Sequence, residues 1–306
     1  MYKEGSSTLS AYLQLHFIVL LWGFTAILGK LISLPSLEIV FFRTLFAFIA
    51  LYFIVRLRRQ SLKLGNKGLL TILGTGTIIA LHWTLFFLAA KLSNVSICLA
   101  GMATTSLWTS VLDPLITKRK VKYYEPILAV IAIVGISIVF DAVIDHYVGF
   151  LVAVFSAMLA SLFTVLNGKL VKHKDYFVIS FLQMLGACLS VLVFMLIYNI
   201  GIEGSGINFT LSMSDLIWLL ILSMVCTVYA YSISIKLMHR ISAFALNLTV
   251  NLEPVYGILL AVFIFGSSEK MYASFYWGTS LVLVSVLLYP AFSYYSKKGK
   301  PGPPIT

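Results

Sequence analysis

The chain has 306 residues, of which 60% are hydrophobic and 11% are charged, and its formal net charge is +11. Soluble domains are about half apolar and about one-quarter charged, so this composition excludes an ordinary water-soluble fold. The basic residues stand in short runs between apolar segments, which disfavours the continuous basic surface of a nucleic-acid-binding protein. We therefore expect a membrane protein in which positive charge sets the orientation, with no nucleic acid as a partner.

Ten apolar stretches of spanning length follow one another along the chain. Long runs without alternation of period two exclude a β-barrel and predict an all-α polytopic membrane protein. The first stretch is too long for a signal-peptide core, so we expect it to remain as a transmembrane helix. The predicted spans are residues 13–32, 36–55, 68–90, 95–117, 124–140, 148–168, 176–199, 215–236, 241–265 and 272–293.

Lysine and arginine residues are concentrated on one side of these spans. Eighteen of the 22 basic residues lie in the N-terminal segment, in the loops after the second, fourth, sixth and eighth spans, or in the tail. The opposite side holds three lysines and six acidic residues. The positive-inside rule therefore predicts that both termini are cytoplasmic, which agrees with an even number of spans.

The C-terminal tail and the cysteines carry little chemistry. Residues 294–306 are basic and then rich in Pro and Gly, so we expect a disordered cytoplasmic tail. Cys98, Cys188 and Cys226 lie within apolar spans and have neither a disulfide framework nor metal-ligand spacing. We expect no cofactor and no metal.

A repeat relates the two halves of the chain. GKLISLPSLEIVFFRTLFA begins at Gly29 and GKLVKHKDYFVISFLQMLGA begins at Gly168. Further along, FFLAAKLSNVSICLA is similar to SISIKLMHRISAFAL, at an offset that has increased from 139 to about 146. Five spans separate the copies, so the second copy must be inverted relative to the first, as in many secondary transporters. The predicted repeats cover residues 13–140 and 148–293.

These segments resemble the drug/metabolite transporter superfamily, in its EamA-like ten-helix branch. The residues that carry the resemblance are LLWGFTAILGKL (20–31), FFRTLFA (41–47), ATTSLWTSVLDPL (103–115) and LEPVYGILLAVFIFGSSE (252–269). The resemblance implies a solute site at the middle of the membrane, between two inverted five-helix halves, and transport that is usually outward.

The first copy departs from the family pattern in two places. It has no proline near Ser106, and it has basic residues at 118–120 where the second copy has Gly266 and Glu269. At the repeat offset of about 146, Glu253 corresponds to Leu107. We therefore expect any site to be asymmetric between the halves.

Two charges deep in the spans are the first candidates for a translocation path, because an intramembrane charge costs about 2.5–3.5 kcal/mol. Arg43 lies in the second span, and Glu253 lies near the middle of the ninth. For each, contact with a solute or proton and a structural tie between helices both stay open. Asn247 and Asn251 share one face of the ninth span, while Glu253 and Tyr256 lie on the opposite face. Polar atoms on both faces predict that this helix is central in the bundle.

Aromatic residues and one proline complete the candidates. Pro254 is predicted to break the ninth helix, because it removes a backbone donor. His82 has no second metal ligand at suitable spacing, so a hydrogen-bonded core histidine and a solute or proton contact both stay open. Deep aromatic side chains are candidates for the walls of a pocket for planar or amphipathic solutes, with ordinary core packing as the alternative. They are Trp22, Trp83, Trp108, Tyr231 and Tyr256.

The sequence thus predicts a secondary transporter that exports a small metabolite, amino acid-like or amphipathic, by alternating access. No Walker motif is present, so protons or the solute's own gradient are the candidate driving forces. A channel-like or uniporter pathway without ion coupling is the alternative. An intramembrane enzyme is disfavoured because paired aspartates and a matched Ser–His pair are missing, so we expect no catalysis. We expect a monomer, with a homodimer as the alternative, in a bacterial inner membrane, with the lipid bilayer and a small-molecule substrate as partners.

Overall fold

The computed structural model describes residues 4–118, 120, 124–142, 144–202 and 209–298. Over these ranges the chain is helical and contains no strand. The α-helices are α1 (Glu4–Gly23), α2 (Thr25–Leu31), α3 (Ser36–Leu57), α4 (Asn66–Leu92), α5 (Val95–Met102), α6 (Thr105–Thr117), α7 (Tyr124–Ala142), α8 (Tyr147–Leu170), α9 (Tyr176–Met195), α10 (Met213–Ser223), α11 (Ala230–Leu237), α12 (Ala243–Val250), α13 (Glu253–Phe265) and α14 (Ala273–Lys298). Leu196–Ile202 and Met224–Tyr229 are π-helical, and Ile144–His146 and Gly266–Glu269 are 3₁₀ turns.

Eight helical stretches of the described residues are long and apolar enough to cross a membrane. They are Ser10–Leu31, Ser36–Leu57, Asn66–Leu92, Val95–Thr117, Ile144–Leu170, Tyr176–Ile202, Met213–Leu237 and Ala243–Glu269. The other two predicted spans correspond to α7 and α14, which pack against each other. Ten spans and cytoplasmic termini stay predictions. Of the predicted tail, residues 294–298 continue α14, and residues 299–306 lie outside the described part of the chain.

Side chains are distributed in the way that a lipid environment requires. Large apolar side chains point outward, with Phe263 87% exposed and Leu57 83% exposed. Polar and charged side chains are buried, with Arg43 and Asn247 each 2% exposed. A hydrocarbon solvent favours this arrangement, because an outward-facing apolar side chain costs nothing there and a polar one does.

Two of the spans are interrupted at the same place in the repeat. α5 and α12 have 8 residues each, and α6 and α13 have 13 residues each. The starts of α5 and α12, Val95 and Ala243, lie 148 residues apart, and so do the starts of α6 and α13. The repeat offset of about 146 predicted from the sequence is therefore two residues smaller than the offset of 148 in the structure. Glu253 corresponds to Thr105 and not to Leu107.

The ends of these helix pairs follow the same register. α6 is followed by Lys118 at φ 58° and α13 by Gly266 at φ 62°, again 148 residues apart. A positive φ suits glycine and costs other residues about 1–2 kcal/mol. At the starts, the side chains of Asn94 and Ser242 each accept a hydrogen bond from a backbone N–H three residues on. The two copies thus preserve the positions of the helix ends and of the positive φ, although ψ is 28° at Lys118 and −128° at Gly266.

The interruptions are tight turns, and Pro254 lies just after one of them. Leu252 N donates to Thr249 O, and Thr104 N donates to Gly101 O, both only three residues back. Pro254 is the second residue of α13, where no intrahelical donor is required. The first copy has the same turn without a proline, so the proline accommodates the interruption and is not required to produce it.

Glycines allow two pairs of helices to approach closely. A Cβ at Gly76 of α4 would overlap the backbone of α9 near Gly186, and a Cβ at Gly186 would overlap the backbone of α4. In the same way, a Cβ at Gly135 of α7 would overlap the backbone of Gly278 of α14, and a Cβ at Gly278 would overlap the backbone of Gly135. Helices in lipid have no hydrophobic driving force to associate, so close packing at small residues stabilises their contacts instead.

We predict that Gly76→Ala destabilises the protein by about 1–3 kcal/mol, the usual cost of overpacking, because its methyl group would meet the backbone of α9. Gly74→Ala is the matched control. It lies two residues away in the same helix with open space around it, and alanine is the better helix former. Thermal unfolding of both variants in detergent tests this, and equal midpoints would contradict it.

Candidate functional site

A cavity opens between helices of both halves, and about 690 Å³ of space lies within it and its mouth. Seven of the ten candidate residues line it, namely Trp22, Arg43, His82, Trp83, Tyr231, Asn247 and Glu253.

Three candidate residues lie outside the cavity lining. Asn251 is in the interruption between α12 and α13, and its Nδ2 donates to Ser106 Oγ on the neighbouring interrupted span. Tyr256 packs at Gly23, where α1 and α13 meet. Trp108 lies further along α6 and packs against the apolar core, and its buried Nε1 has no partner among the described residues.

Arg43 presents part of its guanidinium to the cavity. Its Nε donates to Thr227 Oγ1 at 2.8 Å, and its Cζ lies 3.7 Å from the centroid of the Trp83 ring. The first contact fixes one edge of the group, and the second is a cation–π contact on one face. Among the described residues the two terminal nitrogens form no hydrogen bond. Arg43 is thus held in place with donors left over for a ligand.

Glu253 carries the opposite charge into the same cavity. It is 6% exposed, and over the described residues its carboxylate accepts no hydrogen bond and forms no ion pair. Arg43 and Glu253 interact electrostatically but do not pair directly. A buried charge without a close partner is unstable in an apolar bundle, so both groups are available for a polar ligand.

The interruption between α12 and α13 brings the side chains of Asn247 and Glu253 to one cavity. The sequence had predicted that they lie on opposite faces of one continuous helix. Asn251 and Leu252 have ψ −5° and −11°. A 3₁₀ turn rotates by about 20° more per residue than an α-helix. The extra rotation reduces the angle between the two side chains, and both line the cavity.

A π-helical segment in the eighth predicted span positions two of these contacts. Thr227, which lies in Met224–Tyr229, donates to Leu222 O five residues back while it accepts from Arg43. Trp22 Nε1 donates to the carbonyl oxygen of Cys226 at 3.1 Å. π-helical segments commonly occur at functional sites because they redirect backbone groups. Nothing in the apolar sequence of this segment indicated it.

His82 is anchored to α8 by Ser156. Its Nδ1 lies 2.9 Å from Ser156 O, and Ser156 Oγ donates to His82 O at 2.9 Å. Ser156 Oγ also lies 2.8 Å from Nδ1, so this ring nitrogen ties α4 to α8. His82 lines the cavity as well, and a solute or proton contact stays a prediction.

A closed ring of hydrogen bonds forms another part of the wall. Tyr231 Oη donates to Gln183 Oε1 (2.7 Å), Gln183 Nε2 donates to Asn167 Oδ1 (2.6 Å), and Asn167 Nδ2 donates to Tyr231 Oη (2.9 Å). The ring joins α8, α9 and α11. Asn167 lines the cavity but was not a candidate, although it is an isolated amide in an apolar run, like Asn247. Because each member is satisfied, the ring is a rigid wall and not a free binding group.

The hydroxyl groups of the cavity are also committed. Thr25, Thr105, Thr164 and Ser234 each donate to a backbone carbonyl of the preceding helical turn. The donors left for a ligand therefore include those of Arg43, and the acceptors include Glu253. Apolar and aromatic side chains make up much of the remaining wall, among them Phe86, Met102, Phe163, Met238, Leu246 and Val250.

The two ends of the bundle differ in charge. At the carboxylate end, where α5 begins and α13 ends, Glu38, Asp215 and Glu269 are all buried. At the basic end, where α3, α8 and α11 end, Lys174 Nζ donates to Lys63 O. Cavity-lining residues such as Asn167, Met238 and Leu246 lie near the ends of α8, α11 and α12 that are at the basic end.

Helices α1, α5 and α13 pack closely on the carboxylate side of the cavity. A Cβ at Gly257 of α13 would overlap Leu99 of α5 and the carbonyl oxygen of Gly23, and Leu99 is fully buried. Asp215 holds the start of α10 against the α2–α3 connection by accepting from Ser33 N at 2.8 Å and Ser33 Oγ at 2.7 Å.

A bundle of apolar helices around a polar cavity is typical of an integral, multi-pass membrane protein that handles a small solute. Comparison with known families agrees, since the model of the EamA-like transporter family matches residues 9–141 and again residues 147–289. The chain belongs to this family of membrane transporters, which lies within the drug/metabolite transporter superfamily. The resemblance stated from the sequence is thereby confirmed, including the duplication.

The same architecture occurs in solved structures. One, titled "Crystal structure of protein", is 15% identical, has a TM-score of 0.68, and is matched over 94% of this chain and 99% of that chain. At this identity the likeness shows the fold alone. No curated protein matches the sequence.

We predict that Thr227→Val destabilises the protein by about 1–3 kcal/mol, because it leaves the buried Arg43 Nε without its acceptor. Thr77→Val is the control, since Thr77 Oγ1 contacts Ser190 Oγ between α4 and α9 away from the cavity and is only partly buried. Thermal unfolding in detergent compares the two. A larger loss in the control would contradict the role given to Thr227.

Proposed function

We propose that this protein is a secondary transporter that exports a small, amino acid-like zwitterion by alternating access. The observation that carries the proposal is that Arg43 and Glu253 line one cavity with opposite charges and do not pair with each other. A ligand with one anionic and one cationic group satisfies both, and a ligand with a single charge leaves the other buried and unpaired. The aromatic wall suits an apolar side chain on that ligand.

The arrangement of the halves supports alternating access. α5 and α6 run from the carboxylate end to the basic end, whereas α12 and α13 run from the basic end to the carboxylate end. Two equivalent, oppositely directed interrupted helices are the elements that inverted-repeat transporters use. The closed packing at Gly23, Leu99 and Gly257 disfavours a permanently open channel.

The proposed topology has ten spans with both termini, and hence the basic end, in the cytoplasm of a bacterium. The cavity lining reaches towards that end, so the solute would load from the cytoplasm and leave across the inner membrane. The proposed functional unit is a monomer, with a homodimer as the alternative. Coupling to protons is part of the proposal, with Glu253 as the group that exchanges a proton.

The charge requirement predicts a specific ranking of solutes. In proteoliposomes, counterflow of L-phenylalanine should exceed that of phenethylamine and of 3-phenylpropionate by about ten-fold or more, since a hydrogen bond to a charged group contributes about 1.5–3 kcal/mol. A second series, of L-leucine, isoamylamine and 4-methylpentanoate, tests a smaller side chain in the same way. Arg43→Gln should abolish the preference for the carboxylate, and Glu253→Gln the preference for the ammonium group.

Thr77→Val serves as the control at equal protein levels, because Thr77 does not line the cavity. Equal counterflow of all three members of a series through the wild-type protein would contradict the two-charge site. Unchanged preferences in both Arg43→Gln and Glu253→Gln would contradict the residues assigned to it.

A further inference from the structure

One buried carboxylate outside the cavity joins the two halves at the carboxylate end. Glu269 is 0% exposed. Its Oε1 lies 2.8 Å from Lys30 Nζ and accepts from Val95 N at 3.2 Å, and its Oε2 accepts from Ser96 N at 2.9 Å. Ser96 Oγ in turn donates to Glu269 O at 3.1 Å. A side chain just after α13 therefore binds both α2 and the start of α5.

The chemistry of this contact is strong and specific. The first backbone N–H groups of a helix have no intrahelical acceptor and lie at the positive end of the helix dipole. A carboxylate is the preferred partner for such groups, and hydrogen bonds to a charged group are roughly twice as strong as neutral ones. Lys30, which is about one-third exposed, neutralises the remaining charge, and its Nζ also lies over the Phe265 ring.

The corresponding place in the first copy has the opposite charge. At the register of 148, Glu269 corresponds to residue 121, and the stretch 118–122 contains four basic residues and no acid. The start of α12 corresponds to the start of α5, and there Ser242 Oγ accepts from Ala245 N. Only the second copy has an acidic residue at this position. The helix dipole favours negative charge near a helix start and disfavours positive charge there.

We propose that Glu269 is a one-sided gate latch, which holds α13 to α5 and α2 and so keeps the carboxylate end closed. It lies at the end where Gly23, Leu99 and Gly257 are packed without space. Opening that end to release a solute requires the Glu269 contacts to break, while opening the basic end does not. The latch therefore favours the conformation that is open, or ready to open, at the basic end.

The inference rests on the proposed alternating access, and thiol labelling from each side of the membrane tests it. The three native cysteines, which are all buried, are replaced by alanine, and cavity-lining Met102→Cys serves as the reporter. A membrane-impermeant maleimide is applied to right-side-out vesicles or to inverted vesicles. The measured quantity is the ratio of the labelling rates from the two sides.

Glu269→Gln keeps the shape of the side chain but removes its charge. It should raise the labelling ratio in favour of the carboxylate end by about ten-fold, the factor expected when hydrogen bonds to a charged acceptor are weakened. Lys30→Met removes the ion pair but retains the two backbone contacts, so its shift should have the same direction and be smaller. Ser268→Ala is the neighbouring control, because Ser268 Oγ only contacts Phe265 O within its own turn.

An unchanged ratio in Glu269→Gln, or faster labelling from both sides alike, would overturn the latch. Faster labelling from both sides would mean that Glu269 only stabilises the fold. L-Phenylalanine and L-leucine counterflow is measured in parallel with protein that keeps its native Met102 and cysteines, with and without Glu269→Gln. A latch that shifts labelling in a protein without counterflow would contradict the proposed function alone, and counterflow with an unchanged ratio would contradict the latch alone.

Discussion

The helix interruptions between α5 and α6 and between α12 and α13 determine where the rest of the site lies. In a hydrocarbon environment a backbone that leaves helical geometry must find partners inside the protein. Each turn does so by a hydrogen bond three residues back, and side chains bridge the interrupted spans, as Asn247 Nδ2 to Thr109 Oγ1 and Asn251 Nδ2 to Ser106 Oγ. The added rotation at the second turn moves Glu253 into the cavity beside Asn247.

The two buried ionisable groups, Arg43 and Glu253, have fewer contacts than their side chains could make. Arg43 is held by one hydrogen bond and one aromatic face, which is fewer contacts than its five donors allow. Glu253 has none of its own among the described residues. Other polar side chains of the cavity wall are satisfied, as in the ring of Tyr231, Gln183 and Asn167. Arg43 and Glu253 are thus ionisable side chains of the cavity wall with hydrogen-bonding capacity that a solute can use.

The sequence predicts those parts of the site that depend on a single unusual residue. It does not predict those parts that depend on several residues from different helices. Arg43 and Glu253 were identifiable because a single charge in an apolar run is improbable without a purpose. The role of Thr227 was not, because it depends on a π-helical segment that leaves no compositional trace. The ring through Asn167 requires three helices to meet, and the register that pairs Glu253 with Thr105 requires the turns to be seen. The membrane class depends on composition and the duplication on a repeat in the sequence, so the all-helical class and the two-copy plan were predictable. Ten spans stay a prediction.

The repeat explains why the two ends of the bundle differ although the two halves share a backbone. Matching helix lengths, and a positive φ after both α6 and α13, show that the helix boundaries are preserved at the same register. Side-chain charge is not, since Glu269 corresponds to a basic stretch. Inverted halves with identical charges would give two ends of equal stability, and hence no preferred conformation. Opposite charges at equivalent sequence positions break that equality by electrostatics alone, without any change of fold. Glu269 acts at the start of α5, where a backbone dipole is most sensitive to the sign of a neighbouring charge.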